Sequence, residues 1–199
     1  MAGLVLAHGA GAGQTSAFMV AAARALASRG VTTATFDFPY IAQGRKVPDK
    51  APVLEHAWRD AVDEAAARPE LSTLPLFIGG KSMGGRIASQ AAAAGPLSIV
   101  GLVFLGYPLH PPGKPERRRD THLPAIAVPM LFVQGSRDAF GTADDIRSLL
   151  PRLNARTELY EVIEGDHSLK VPARVARPAA VMDAIFDRVA AFIRSAARS

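Results

Sequence analysis

An open, mostly parallel α/β sheet of six strands, with helices on both faces and no cap domain, is the fold this sequence predicts. Three observations carry that expectation. Short aliphatic or β-branched runs alternate with longer stretches of helical periodicity, the pattern of strand–helix units. Several of those runs are apolar throughout, which suits strands covered on both faces. The chain has 199 residues, 49% hydrophobic and 21% charged, sized for one compact domain and too short for two ordinary ones.

The elements follow in order. A first strand is expected at residues 4–7 and a helix at 16–28. Threonine and phenylalanine dominate the second strand, 32–38, and a helix covers 53–68. Leu76-Phe77-Ile78-Gly79 forms the third strand and leads into an alanine-rich helix at 83–94. Strands at 99–105 and 129–134, a helix at 143–149 and a strand at 157–163 complete the sheet. A last amphipathic helix, 179–197, places Val181, Ile185, Val189, Phe192 and Ile193 on one face. Two polar stretches rich in Pro, Gly and basic residues, 40–50 and 107–122, read as loops. Ligands of open α/β sheets bind beyond the carboxyl ends of the strands, so chemistry is expected in the segments after each strand.

Composition excludes several classes. There is no cysteine, so disulfide and thiolate chemistry are out. No H-E-x-x-H pattern occurs and neither metal nor cofactor is expected. No apolar run approaches the roughly 20 residues a bilayer needs, so no membrane partner is expected. The first residues lack the basic head of a signal peptide, which makes a cytoplasmic location the expectation. The net charge of +5 raises nucleic acid as a partner. Arg117-Arg118-Arg119 is the only dense basic run, however, and no aromatics are interleaved with it. No nucleic-acid binding is expected. Most of the excess instead falls in the two loops: Arg45, Lys46 and Lys50 against Asp49, and Lys114, Arg117, Arg118 and Arg119 against Glu116 and Asp120. Loops so charged are expected to attract an anionic substrate or partner.

The strongest motif is Gly80-Lys81-Ser82-Met83-Gly84, set between a buried strand and a helix. It fits G-x-S-x-G, the sharp turn that exposes a serine hydroxyl above a sheet. A phosphate-loop reading of Gly80-Lys81-Ser82 fails, because the glycine it needs five residues earlier is Pro75. A serine nucleophile needs a base, and the base an orienting carboxylate. Asp138 follows the fifth strand and His167 the sixth, where the second and third members belong in the order Ser, Asp, His. Asp144 and Asp145 suit the first turn of the next helix better. Asp166 adjoins His167 and is expected to point elsewhere.

An oxyanion hole takes one N–H from the residue after the nucleophile, here Met83. The other is expected from the loop His8-Gly9-Ala10-Gly11-Ala12-Gly13, with Ala10 preferred and Gly11 the alternative. His8 is read as an anchor of that loop. The loop also satisfies half of a dinucleotide G-x-G-x-x-G, with Asp37 placed as a ribose acid, but its third position is Gln14. Lys81, Tyr40, Gly11 and His110 are candidate substrate contacts; pairing with a carboxylate is the preferred reading of Lys81.

These residues resemble those of the α/β-hydrolases, and most the group containing testis-expressed protein 30 and the chromatin NSL complex subunit 3. The matching stretches include His8-Gly9-Ala10-Gly11-Ala12, Asp37-Phe38-Pro39-Tyr40, Gly79-Gly80-Lys81-Ser82-Met83-Gly84-Gly85-Arg86, the segments beginning at Tyr107 and Gln134, and Gly165-Asp166-His167-Ser168. The dienelactone-hydrolase-like enzymes are more distantly similar. The resemblance implies one minimal domain over residues 1–199, without the two leading strands of larger relatives. It implies a serine-hydrolase triad but little about substrate; with no cap domain over the pocket, cleavage of a carboxylic ester or thioester of a small acyl substrate through an acyl-enzyme is the expectation. A noncatalytic interaction module is the alternative, since one relative serves mainly in a chromatin assembly.

Overall fold

The computed structural model describes residues 1–198. Its elements run β1 (Ala2–Ala7), α1 (Ala17–Ala27), β2 (Val31–Phe36), α2 (Pro39–Ala42), α3 (Ala51–Ala67), β3 (Leu76–Lys81), α4 (Met83–Ala93), β4 (Gly101–Leu105), β5 (Met130–Gly135), α5 (Ala143–Leu149), β6 (Thr157–Val162) and α6 (Pro178–Ala196). Short 3₁₀ turns occupy Leu123–Ala125 and Leu150–Arg152.

The strand order is β2-β1-β3-β4-β5-β6. Every pairing is parallel, where a mostly parallel sheet was expected. Each connection carries a stretch long enough to cross back over the sheet, so no hairpin is required. From β1 the chain moves to one side for β2, then returns to β1's other side for β3. The order reverses at that point, where ligands of such sheets bind. Ala7 pairs with Gly80, so the loops after β1 and β3 leave the sheet side by side.

The core has two layers because side chains alternate along each strand. Val5, Ile78, Phe104 and Phe132 pack towards α3, α4 and α5. Leu4, Leu6, Phe77, Val103 and Leu131 pack towards α1 and α6. This explains why the central strands are apolar throughout.

Three expectations are corrected. The stretch 40–50 is not all loop: Pro39, with its φ preset for the first helical turn, opens α2, and Phe38 precedes it instead of ending β2. β4 begins at Gly101, because a turn closes first with Ile99 N–H donating to the Leu97 carbonyl at 2.8 Å. β3 runs on to Lys81, and the contact at Gly79 shows why it can: a Cβ there would lie 2.0 Å from the Val103 carbonyl oxygen. Among the described residues, no helix is long and apolar enough to cross a membrane.

Candidate active site

Ser82 sits between β3 and α4 with φ +51° and ψ −118°. Such a backbone in a non-glycine residue stores about 1–3 kcal/mol and holds only where its surroundings dictate it. The Ser82 N–H donates to the Leu105 carbonyl at 3.1 Å, tying the turn to β4. The flanking glycines leave no space for anything larger. A Cβ on Gly84 would lie 2.6 Å from the carbonyl oxygens of both Ala7 and His8. Buried Trp58 closes the turn from α3, its Nε1–H donating to the Gly84 carbonyl at 3.1 Å.

Ser82 Oγ lies 2.8 Å from His167 Nε2. His167 Nδ1 lies 2.8 and 3.0 Å from the two Asp138 oxygens. A proton on Nδ1 facing the carboxylate leaves Nε2 free to accept from the serine hydroxyl. Asp138 is 2% exposed. Its Oδ1 accepts the Phe140 N–H at 2.8 Å and its Oδ2 accepts Gln134 Nε2 at 2.9 Å. The Phe140 ring stacks on the imidazole with centroids 4.1 Å apart. The three residues picked from sequence therefore form one hydrogen-bonded chain. Asp166 points elsewhere, as expected: its Oδ1 accepts the Ser168 and Lys170 N–H groups. Asp145 caps α5 through Thr142.

Lys81 differs from its expected role. Its Nζ donates to the His167 backbone carbonyl at 2.5 Å and, among the described residues, is not ion-paired with a carboxylate. Burial pulls its pKa down from 10.5 to about 8, against the opposing pull of Asp138 and Asp166. A side chain at Gly106 would press on both Lys81 Nζ and the His167 carbonyl, at 3.0 and 2.9 Å.

On the other side of Ser82, the loop after β1 is anchored by buried His8. Its Nδ1 donates to the Gly9 carbonyl at 2.8 Å and its Nε2 accepts the Phe38 N–H at 3.2 Å. Asp37, which the dinucleotide reading would give to a ribose, accepts the Gln14 backbone and side-chain N–H groups. Ala10 and Met83 line the cleft beside Ser82. Met83 opens α4, where a helix has no acceptor of its own for the N–H. The other candidate contacts are placed differently. The Gly11 N–H donates to the Tyr40 hydroxyl at 3.2 Å, and Tyr40 is fully buried, so both shape the loop from behind. His110 is buried with Nδ1 on the Pro111 carbonyl. None of these three lines the cleft.

The cleft holds about 560 Å³. Its wall includes Arg86 and Arg119, which sequence reasoning did not single out as site residues. Gln134 and Phe140 were likewise missed. Arg86 had one legible signal, a position one helical turn beyond Ser82. The loop charges are more local than their count suggested: Asp49 holds Arg45 at 2.7 Å and Asp120 holds Arg118 at 2.6 Å.

A family model described as an alpha/beta hydrolase domain matches residues 1–194. The chain belongs to the α/β-hydrolases. Solved structures agree on the fold. A dienelactone hydrolase from Anabaena variabilis superposes with a TM-score of 0.76 at 20% identity, over 98% of this α/β-hydrolase and 87% of that chain. Est1E from Butyrivibrio proteoclasticus, with ferulic acid bound, gives 0.73 at 16% identity over 96% and 90%. A Pyrococcus furiosus esterase gives 0.75 at 14% identity over 98% and 82%. The family model sets this chain at the level of the superfamily, and the solved structures agree with it on the fold.

Proposed function

We propose that this α/β-hydrolase cleaves a carboxylic ester or thioester of modest size through an acyl-enzyme on Ser82. The observation that carries the reading is the continuous chain from Ser82 Oγ to His167 to Asp138, with both links at 2.8 Å. In this reading His167 Nε2 takes the hydroxyl proton as Oγ attacks the acyl carbonyl carbon. The resulting oxyanion faces the Ala10 N–H of the loop after β1 and the Met83 N–H at the start of α4, where the helix dipole favours negative charge. His167 then gives its proton to the leaving oxygen or sulfur, the carbonyl re-forms and the acyl-enzyme remains. Water enters, His167 takes its proton, and collapse of the second tetrahedral intermediate frees the acid and restores Ser82. Asp138 supports the imidazolium in both halves. Its own orientation comes from Gln134 and the Phe140 N–H, so it needs no rearrangement during the reaction. The dienelactone hydrolase and esterases of the same fold support ester cleavage as the reaction class.

The test is a panel of p-nitrophenyl and thiol esters of graded acyl length, with fluorophosphonate labelling in parallel. Turnover and labelling are expected in the wild type, and Ser82→Ala should abolish labelling and lower kcat by about 10³-fold or more. Labelling that survives Ser82→Ala would overturn the assignment. Neither turnover nor labelling in the wild type would favour a noncatalytic module on this fold.

A further inference from the structure

The hydrolase reading uses Ser82, His167 and Asp138 and leaves two arginines of the same cleft without a task. Arg86 lies on α4, its N–H donating to the Ser82 carbonyl at 3.1 Å. Positions four apart share a helix face, so Arg86 rises on the same side as Ser82, about 6 Å further along the axis. One guanidinium nitrogen donates to Gln90 Oε1 at 3.0 Å. Its Nε is sealed from solvent and has no hydrogen-bond partner. Arg119 lines the same cleft from the 107–122 loop. Its backbone is pinned by two bonds, the N–H to the Leu109 carbonyl and the carbonyl to the Tyr107 hydroxyl, both at 2.8 Å.

Several other arginines are ion-paired. Arg29 holds Asp183 and Asp187, Arg118 holds Asp120, Arg137 and Arg174 hold Glu164, and Arg156 holds Glu158. Among the described residues, no carboxylate meets Arg86 or Arg119, although both are more withdrawn from water than most of that set. Burial makes the charged form of each less favourable, and the Arg119 charge adds to that at Arg86. Glu55 exerts a favourable field on Arg86 without pairing with it, so the two cations face one cavity with no ion-paired partner, a costly arrangement that an incoming anion relieves. Asp49 is the only carboxylate on the cleft wall among the described residues, and it is occupied by Arg45. Its second oxygen is sealed without a donor and would repel an anion. An acidic group is therefore directed to the Arg86–Arg119 end.

We propose that Arg86 and Arg119 form an anion subsite, and that the substrate is an ester or thioester whose acyl part carries a second, free carboxylate. This rests on Ser82 being the nucleophile. With C–C bonds of about 1.5 Å, an acyl chain of roughly four to six carbons covers about 5–7 Å, which matches the ~6 Å rise along α4 from Ser82 to Arg86. Guanidinium groups suit the task because their planar donors match a carboxylate.

The experiment compares kcat/KM for p-nitrophenyl hemiglutarate with that for p-nitrophenyl valerate, which has the same leaving group and no charge. The wild type should favour the hemiglutarate by about tenfold or more. Arg86→Gln and Arg119→Gln should each lower the ratio about 10- to 100-fold, the worth of charged hydrogen bonds. A ratio unmoved by both substitutions would overturn the subsite. If Arg86→Gln fails to fold, Arg119→Gln on its loop carries the comparison alone. A second arm sets 4-carboxyphenyl acetate against phenyl acetate; an arginine-dependent preference there, and none for the hemiglutarate, would refute the acyl-side assignment. Calorimetric binding of monomethyl glutarate to Ser82→Ala, with and without Arg86→Gln, needs no turnover. Arginine-dependent binding with no hydrolysis by the wild type would keep the subsite and remove the hydrolase reading. Hydrolysis of neutral esters with binding indifferent to Arg86 would remove the subsite alone.

Discussion

Replacing Lys81 by methionine isolates the energetics of one buried cation beside His167. Burial lowers the Lys81 pKa from 10.5 to about 8. Between these values the unfolded chain keeps a proton that the folded protein has lost, so stability rises with pH across that window. Below pH 8 the fold carries the full cost of burying the charge; above 10.5 the cost is gone. One pKa unit is worth about 1.36 kcal/mol, so the shift amounts to about 3.4 kcal/mol, of which about 2.5 kcal/mol is recovered between pH 7 and pH 10. The neutral amine still donates to the His167 carbonyl, so that bond adds an offset to the comparison and no slope. Urea unfolding of wild type and Lys81→Met at both pH values gives the difference of differences, in which titration of every other group cancels. Wild-type stability should rise relative to the variant by about 2.5 kcal/mol. A relative change below about 0.5 kcal/mol, or one of opposite sign, would refute the reasoning, because Lys81 would then be hydrated and not sealed against the loop of His167.

Three further outcomes are expected. Gln134→Leu removes the donor to Asp138 and leaves the Tyr107 N–H and the Gly141 carbonyl unsatisfied; thermal melting should show a loss of about 3–6 kcal/mol, with a fall in kcat as Asp138 loosens. Gly84→Ala drives a Cβ against two backbone carbonyls and should cost about 1–3 kcal/mol, a Tm drop of about 3–10 °C. Burial, with Arg86 adding, holds the His122 pKa down at about 4. The unfolded chain therefore takes up that proton first as pH falls from 6.5, and wild-type stability should decline towards pH 4. His122 is partly open to water, so the decline is about 1–2 kcal/mol, and His122→Gln should remove it in acid unfolding curves.

Much of the candidate site was legible because its signals are local. A buried strand, a G-x-S-x-G turn and a helix start occupy adjacent residues, and the constraint at Ser82 follows from carbonyls that any such turn brings close. Asp138 and His167 were legible by their order after successive strands. Arg86 was missed because an arginine in a helix resembles a solvated one until its neighbours are known. Gln134 was missed because an amide at a strand end carries no periodic signal; its importance arises only when Tyr107, Asp138 and Gly141 surround it. Tyr40, Gly11 and His110 were drawn towards the cleft by proximity in sequence to site loops, yet Tyr40 and Gly11 bond to each other and His110 bonds to the Pro111 carbonyl.

By itself, the sequence determined the alternation of strands and helices, the two-sided burial of the central strands and the residues of the serine turn. Those properties depend on spacing within a few residues: period two, period 3.6 and the room left by glycine. Only the tertiary structure decided the strand order that sets the β1 loop beside Ser82, the bond spanning 85 residues from Ser82 to His167, and which charges remain unpaired. Net charge is a sum over residues and can be counted along the chain. Whether an arginine meets a carboxylate or lines a cleft depends on what the fold brings within about 4 Å. Here that choice pairs Arg45 and Arg118 and leaves Arg86 and Arg119 facing the cleft beside Ser82.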